Sequence, residues 1–496
     1  MSPLMLSVSG CRGVVGESLT PEVVSRFAAA YGSWLRDRAG TKRVRVVLGR
    51  DGRAGCGMVH AAATAGLLGS GCEITDVGVA MTPTTAVMTD FYAAEGGNST
   101  SEYVAGMVLT ASHNPQQWNG LKCLLAEGGE FGSAACAPPA ASAEEIIARF
   151  RAAAGGNAGL YTGWSEVGER IEDHSGTEAH VDRLMRALEE SGLTDMASHL
   201  GHGVRVAVDS VNGSGSGGAR LLLESLGCDE ILHLHADDTG RFPHPPEPTK
   251  DNLSQPGGLR DAVVNAGCDV GFAQDPDADR LAIVDELGGY IGEEYTLALG
   301  AMALLSSSRE DDRSPVLVTN LSTSRMLDDV AATFGGRVLR TPVGEANVVE
   351  VMKKEKALAG GEGNGGVIWP RVAYVRDSLT AMALTIYLLS PHGAGKGAKR
   401  ALSRLVASCP AYAIHKRKVD LARRDDASPA VAAIAAAYKD HRVDLQDGVR
   451  VDFRDKAAWL HVRASNTEPI MRLIAEAPTD DAAAMILDEA ARVIAG

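Results

Sequence analysis

Short apolar runs alternate along the chain with segments whose apolar residues recur every three to four positions. The run at 104–109 is continuous and includes β-branched residues, as expected of a strand buried in a parallel sheet, and 44–48 and 73–77 also read as strands. Before them, Val24, Phe27, Tyr31, Trp34 and Leu35 keep helical spacing. Thr20-Pro21-Glu22 starts that helix with an N-cap, a proline at the first helical position and an early acid. Residues 57–69 and 82–92 predict further helices. The alternation resumes with strands at 204–208 and 268–273 and a helix from Ala219. It recurs over about 290–390, with strands near 316–318 and 338–339 and a helix opening at Gly344-Glu345-Ala346-Asn347. Beyond about 411 it fades: 450–453, 459–462 and 470–475 predict strands and 480–495 a helix. Residues 126–163, rich in Gly, Ala and Pro with one helical piece near 143–152, read as the first inter-domain region. This pattern predicts an α/β protein. Its 496 residues call for several domains, because single cores stop growing near roughly 250–300 residues.

Charge narrows the function. A net charge of −15 argues against a nucleic-acid or anionic-membrane partner, so an anionic substrate would need a locally positive site. The eight cysteines form no Cys-x-x-Cys pair, which points to reduced cytosolic thiols rather than a disulfide frame or zinc site. The N-terminal apolar stretch is too short for a signal peptide, and no apolar run approaches the roughly 20 residues of a membrane span. A cytoplasmic protein is expected.

Candidate chemistry sits in loops that follow strands. Thr110-Ala111-Ser112-His113-Asn114-Pro115 breaks the 104–109 strand at its C-terminal end, where open α/β sheets bind ligands. A hydroxyl there can carry a transferred group. A plain Ser/Asn turn is the bland alternative. Asp275-Pro276-Asp277-Ala278-Asp279-Arg280 places carboxylates at alternating positions, a hard-cation pattern. An EF-hand calcium loop would need glycine where Arg280 stands, so magnesium is favoured. Glu362 and Asn364 are polar residues on an otherwise glycine backbone at 360–366, suited to sugar hydroxyls or to a simple hinge. Arg463-Ala464-Ser465-Asn466-Thr467 offers charged and neutral donors to a phosphate. Arg12, between glycines at 10 and 13, can reach into a site or lie in a flexible start. Gly213, Gly215 and Gly218 fit the G-x-G-x-x-G dinucleotide pattern, with Asp238 beyond. The four residues Asp209-Ser210-Val211-Asn212 separate the strand from the first glycine, so close helix–sheet packing is the better reading.

In this order the four loops resemble the α-D-phosphohexomutase superfamily over essentially the whole chain. The opening Ser9–Gly13, Gly49 to Arg53, Asn119-Gly120-Leu121-Lys122 and Asp209 to Gly213 add to the match. The resemblance implies three related α/β domains plus a smaller C-terminal α+β domain around a central cleft, with boundaries at 1–160, 161–288, 289–405 and 406–496. It implies a phosphohexomutase (an isomerase) that interconverts hexose 6-phosphate and hexose 1-phosphate through a phosphoserine and a bound hexose 1,6-bisphosphate. By that resemblance Ser112 is the phosphoserine, and Asp275, Asp277 and Asp279 hold one Mg²⁺ together with the phosphate on Ser112. Lys122, Arg12, His113 and Arg280 complete the catalytic centre. Glu362 and Asn364 meet the sugar, while Arg463, Ser465, Asn466 and Thr467 hold the non-reacting phosphate. The sugar loop reads Glu-Gly-Asn-Gly-Gly where many members have serine and a nearby histidine. It is similar to a branch often assigned to phosphoglucosamine mutases, with phosphomannomutase or phosphoglucomutase as the alternative. Glu345 stands where some relatives have histidine, so that sugar contact does not carry over. A dehydrogenase using the 213–218 glycines and a non-catalytic sugar-phosphate sensor are the rival classes. The partner expected is a small sugar phosphate; the preferred hexose and the oligomeric state are not legible.

Overall fold

A computed structural model describes residues 3–40, 43–96, 102–156, 159–237, 239–307, 314–391, 401–421, 423–464 and 470–495. Three successive units repeat one sheet order. In the first, Cys72–Val79, Arg43–Arg50 and Glu102–Leu109 run parallel, and Trp118–Ala126 closes the row antiparallel to the last of them. The second unit repeats this with Glu230–Leu234, Arg205–Asp209, Val270–Gln274 and the antiparallel Leu281–Asp285. The third does so with Arg337–Thr341, Val316–Asn320, Ala359–Glu362 and the antiparallel Gly366–Ile368. Helices cover the sheets, which is why the inner strands read as unbroken apolar runs: every residue of Val270–Gln274 is buried.

The last unit differs, as its weaker alternation predicted. Its sheet is antiparallel throughout, in the order Ala413–Asp420, Ile470–Ala477, Ala458–Ala464, Val449–Phe453, Arg442–Asp444. The helices Ala427–Ala437 and Asp480–Ala495 pack on it around Ile434, Leu460, Leu473 and Leu487.

The second and third units share one core. Helix Ser378–Leu389 is buried on every side, with Leu379 and Leu384 packed in the same cluster as Leu222 and Phe272 of the second unit. The stretch 126–163 is not a linker. Ala135–Cys136 pairs with Trp118–Ala126, and helix Ala140–Ala152 packs on Pro21–Ala39 through Ile146, Phe150 and Phe27. Arg170–Glu172 also joins the first sheet, beside Cys72–Val79, so that sheet reaches past residue 160. The 9–13 segment is likewise no flexible start, since Gly10–Val14 is a strand paired with Trp118–Ala126.

Among the described residues no helix is long and apolar enough to cross a membrane. All eight cysteines are free. The glycine run is packed against protein. A Cβ on Gly213 would stand 2.7 Å from the Pro276 carbonyl oxygen, and one on Gly215 would stand 2.3 Å from the Gln274 side chain. These glycines let helix Gly215–Ser225 close on the sheet and leave no room for a pyrophosphate; Asp238 lies outside the described residues.

Candidate active site

In each related unit the candidate loop occupies the same place, the turn between the third strand and its antiparallel neighbour. Ser112 follows Glu102–Leu109, the three aspartates follow Val270–Gln274, and Asn364 follows Ala359–Glu362. One topological position, used three times, thus faces three different loops toward one another.

Ser112 is buried and adopts φ 52°, a region few side chains tolerate. Its surroundings hold it there. The Ser112 amide donates to Thr110 Oγ1 at 2.8 Å, and that hydroxyl donates to Asp51 Oδ2 at 2.6 Å. Arg53, only 1% exposed, donates to the Ser112 carbonyl at 2.6 Å and pairs with Asp51 at 2.8 Å. Asp51 and Arg53 therefore buttress the serine from below. The Ser112 hydroxyl donates to Asp275 Oδ2 at 2.8 Å and lies 3.3 Å from His113 Nδ1.

The carboxylates of Asp275, Asp277 and Asp279 lie within 4.8 Å of one another, and all three residues are buried. Burial, reinforced by the charges of Asp277 and Asp279, drives the Asp275 carboxyl well above the usual carboxylate range. Burial also opposes ionisation of the other two, but their cations prevail. Lys122 Nζ stands 2.5 Å from Asp277 and 3.0 Å from Asp279, and Arg376 pairs with Asp279 at 2.7 Å. Thr82 adds a hydroxyl to Asp277 at 2.6 Å. Even so, Asp277 Oδ1 and Asp279 Oδ1 are buried without a hydrogen-bond partner. Two bare carboxylate oxygens beside a third acid that resists ionisation fit a hard divalent cation, since a buried charge without partners is costly.

Cations surround this cluster. Arg12 projects from Gly10–Val14 opposite Gly120, within reach of the charges on Asp277 and Asp279. The Arg280 amide donates to Asp275 Oδ1 at 3.1 Å, and its guanidinium lies 3.8 Å from both Asp279 and Glu247. Burial, together with Arg280 and Arg12, pushes the His113 imidazole down to about 3, so that ring is neutral at physiological pH.

Arg376 is a hub that the sequence reading missed. It meets Asp279 at 2.7 Å, Glu345 at 2.7 Å, Glu362 at 2.8 Å and the Asn364 side-chain oxygen at 3.4 Å. It therefore ties the aspartate loop to the sugar loop. Gly366 makes the approach possible, because a Cβ there would stand 2.1 Å from Arg376 Cδ. Glu362 also accepts from Asn320 at 2.8 Å and from the Asn364 side-chain amide at 3.4 Å. Glu345 commits its carboxylate to Arg376.

Above these groups opens a cavity of about 680 Å³, lined by His113, Glu247, Glu362, Asn364, Arg463 and Arg472. Its lining carries both signs of charge, with Glu247, Glu294 and Glu362 beside Lys416, Arg417 and Lys418. Of the expected site residues, contacts link Ser112, His113, Lys122, Asp275, Asp277, Asp279, Arg280, Glu362 and Asn364 into one cluster through Arg376. Arg12 lies within reach of its charges, and Arg463 lines the cavity with His113, Glu362 and Asn364. Ser465, Asn466 and Thr467 lie outside the described residues.

Sequence profiles of the family match all four units. They are phosphoglucomutase/phosphomannomutase α/β/α domain I at 5–148, domain II at 182–288, domain III at 293–412 and the C-terminal domain at 418–493. A probable phosphoglucosamine mutase of Methanopyrus kandleri is 34% identical over 97% of this chain and 95% of its own. A phosphoglucomutase/phosphomannomutase of Thermococcus kodakarensis is 34% identical over 97% of this chain and 96% of its own. Among solved structures, a phosphoglucomutase/phosphomannomutase family protein of Burkholderia thailandensis superposes with a TM-score of 0.75 at 25% identity, covering 99% of this chain and 98% of that one. With its four units matched in order and its relatives aligned nearly end to end, the chain belongs to the phosphoglucomutase/phosphomannomutase family of phosphohexomutases.

Proposed function

We propose that this protein interconverts the 6- and 1-phosphates of a hexose through a phosphorylated Ser112, with glucosamine phosphate as the preferred substrate. One observation carries the reading: the Ser112 hydroxyl lies 2.8 Å from Asp275 in a buried three-aspartate cluster, next to His113, which lines the cleft. Asp275, Asp277 and Asp279 would hold Mg²⁺, which when bound neutralises charge on the transferring phosphoryl group. Phosphoryl transfer asks chiefly for positioning and charge compensation. As the bond between phosphorus and Ser112 Oγ breaks, a bond forms to the free hydroxyl of the sugar phosphate, giving the 1,6-bisphosphate. That intermediate turns over in the cleft and returns its other phosphoryl group to Ser112. Arg12 and Arg280 add positive charge. Burial opposes the charge on Lys122, but Asp277 and Asp279 keep it an ammonium; it would give a proton to Ser112 Oγ as that bond breaks and take up the proton of the attacking sugar hydroxyl as the new bond forms. Glu362 and Asn364 would orient the sugar hydroxyls.

A cleft lined by both acidic and basic side chains favours an aminosugar. A glucosamine phosphate carries an anion and an ammonium, which match the basic residues Arg463 and Arg472 and the carboxylates of Glu247 and Glu362. The similarity to a probable phosphoglucosamine mutase supports the same choice. Turnover of glucosamine, glucose and mannose phosphates by the purified protein with Mg²⁺ tests it. The highest kcat/KM is expected for glucosamine phosphate, and a preference for either neutral sugar would overturn the substrate assignment.

Arg463 gives a second check. A bisphosphate that reorients presents each phosphate in turn to the same anchor, so Arg463 would grip both isomers. A charge-assisted bond contributes about 1.5–3 kcal/mol, or roughly 10–150-fold in affinity. Arg463→Ala should raise the apparent KM for the 1-phosphate and the 6-phosphate alike and release more bisphosphate. A defect confined to one isomer would exclude this role.

A further inference from the structure

We propose a second cation site in the second unit, built from Asp209, His235 and His244 and suited to a borderline transition metal such as Zn²⁺. It uses none of the residues assigned to sugar-phosphate chemistry. Asp209 ends the strand Arg205–Asp209, His235 follows the neighbouring parallel strand Glu230–Leu234, and His244 lies on the extended segment beyond. Their ligand atoms fall within 4.8 Å of one another: Asp209 Oδ2 is 3.1 Å from His235 Nδ1 and 2.9 Å from His244 Nε2. Asp209 is buried, and both rings are partly open to water.

The hydrogen bonding asks for a cation. His244 Nδ1 lies 2.9 Å from the carbonyl oxygen of Pro245, which can only accept, so the network assigns the ring hydrogen to Nδ1. In a neutral ring Nε2 then turns a lone pair toward a carboxylate oxygen 2.9 Å away. That approach needs either a proton on Nε2 or a metal ion bound by both atoms. His235 directs a second ring nitrogen at the same oxygen. A single metal ion accepts both nitrogen lone pairs and the carboxylate at once. An Nδ1–H bonded to a backbone carbonyl is also how proteins commonly orient a metal-binding histidine.

Backbone strain marks the same spot. Val211, Asn212 and His235 have φ of 48°, 53° and 48°, three of the eight non-glycine residues in the left-handed region among those described. For β-branched Val211 this is a true outlier. It is locked by a Val211 amide bond to Asp209 Oδ1 at 2.9 Å and an Asn212 amide bond to the His235 carbonyl at 2.7 Å. Strain of this kind concentrates at ligand clamps. Of the remaining five, Ser112 and Ala278 belong to the candidate active site.

Ligand type sets the metal. Two imidazoles and one carboxylate suit Zn²⁺, Co²⁺ or Ni²⁺, whereas Mg²⁺ prefers the all-oxygen cluster of Asp275, Asp277 and Asp279. Such an ion would fasten the segment carrying His244 to the strand ends. That segment in turn braces the serine loop. Gln116 exchanges bonds with the Gly240 carbonyl at 3.1 Å and the Phe242 amide at 2.8 Å, and Arg53 lies over the Phe242 ring at 5.3 Å.

Full-length protein, stripped with chelator and held in excess Mg²⁺, should bind one equivalent of Zn²⁺ by elemental analysis. With Co²⁺ as probe it should show the visible absorption of a nitrogen-ligated ion. His244→Gln and His235→Gln should weaken Zn²⁺ by more than the roughly 10–100-fold that loss of an outer-shell partner costs, with circular dichroism confirming that each variant is folded. Retention of the equivalent by both folded variants overturns the site. So does wild-type protein that takes up no Zn²⁺ in excess Mg²⁺, an outcome that stands even where a variant fails to fold.

Discussion

Ser112→Ala is expected to lower sugar-phosphate isomerisation by roughly 10⁴-fold or more, the scale seen when a covalent nucleophile is removed. The variant should fold normally. The bonds that hold the loop use the Ser112 amide and carbonyl, which alanine keeps, and Thr110, Asp51 and Arg53 are untouched. The loss is confined to one hydroxyl and its 2.8 Å bond to Asp275. Intact-mass measurement should find a phosphate adduct on active wild-type protein and none at this position in the variant. An alanine variant that turns over at the wild-type rate would end the phosphoserine mechanism, and a variant that fails to fold would refute the account of how the loop is held.

Arg376→Met is expected to damage both fold and activity. The methionine roughly fills the space but leaves Asp279, Glu345 and Glu362 without their common cation, and all three lie within 2.8 Å of it in a largely buried setting. Breaking one partner of a buried ion pair costs about 3–5 kcal/mol. Loss at that scale should appear as an earlier thermal transition together with weaker Mg²⁺ dependence, since Asp279 loses the partner that keeps it ionised. Burial holds the Glu345 carboxyl above its ordinary range, with Arg376 the main opposing influence. Adding Glu345→Gln to the arginine variant should therefore recover part of the stability, because one uncompensated carboxylate disappears. Wild-type melting in the single variant, or no recovery in the double, would show that the hub does not hold the loops together.

Loops were more legible in the sequence than their supports. Ser112, the three aspartates, Glu362 and Asn364 stand in short segments whose residue types suggest chemistry locally, and the order of the four loops, by its resemblance to a known family, singles them out. Arg376, Asp51, Arg53 and Thr82 act on partners far away in the chain: Arg376 on Asp279, Arg53 on Ser112, Thr82 on Asp277. No periodicity encodes such a meeting. The same holds for His235 and His244, which become neighbours of Asp209 only when parallel strands align. Helix 480–495 was read at its observed bounds because its amphipathic pattern is strong. Residues 126–163 were read as an inter-domain region, whereas Ala135–Cys136 joins the first sheet and the helix Ala140–Ala152 packs on the first unit. Small residues look alike in a linker and in a tight packing contact. The glycine run at 213–218 shows the reverse, a motif-like string whose cause is close approach of helix to loop.

The threefold use of one hairpin position also fixes when the protein can first act. Ser112, Asp275 and Arg376 come from different units, and the contacts joining them span 163 residues from Ser112 to Asp275 and 97 from Asp279 to Arg376. A growing chain exposes the serine first and completes the aspartate cluster only after the second unit has emerged, since domains fold in the order they are synthesised. The arginine that clamps the cluster arrives later still. Nascent chains and fragments that end before Asp275 therefore carry the serine without the carboxylate that its hydroxyl meets. The set of contacts is complete only once the chain has been made as far as Arg376.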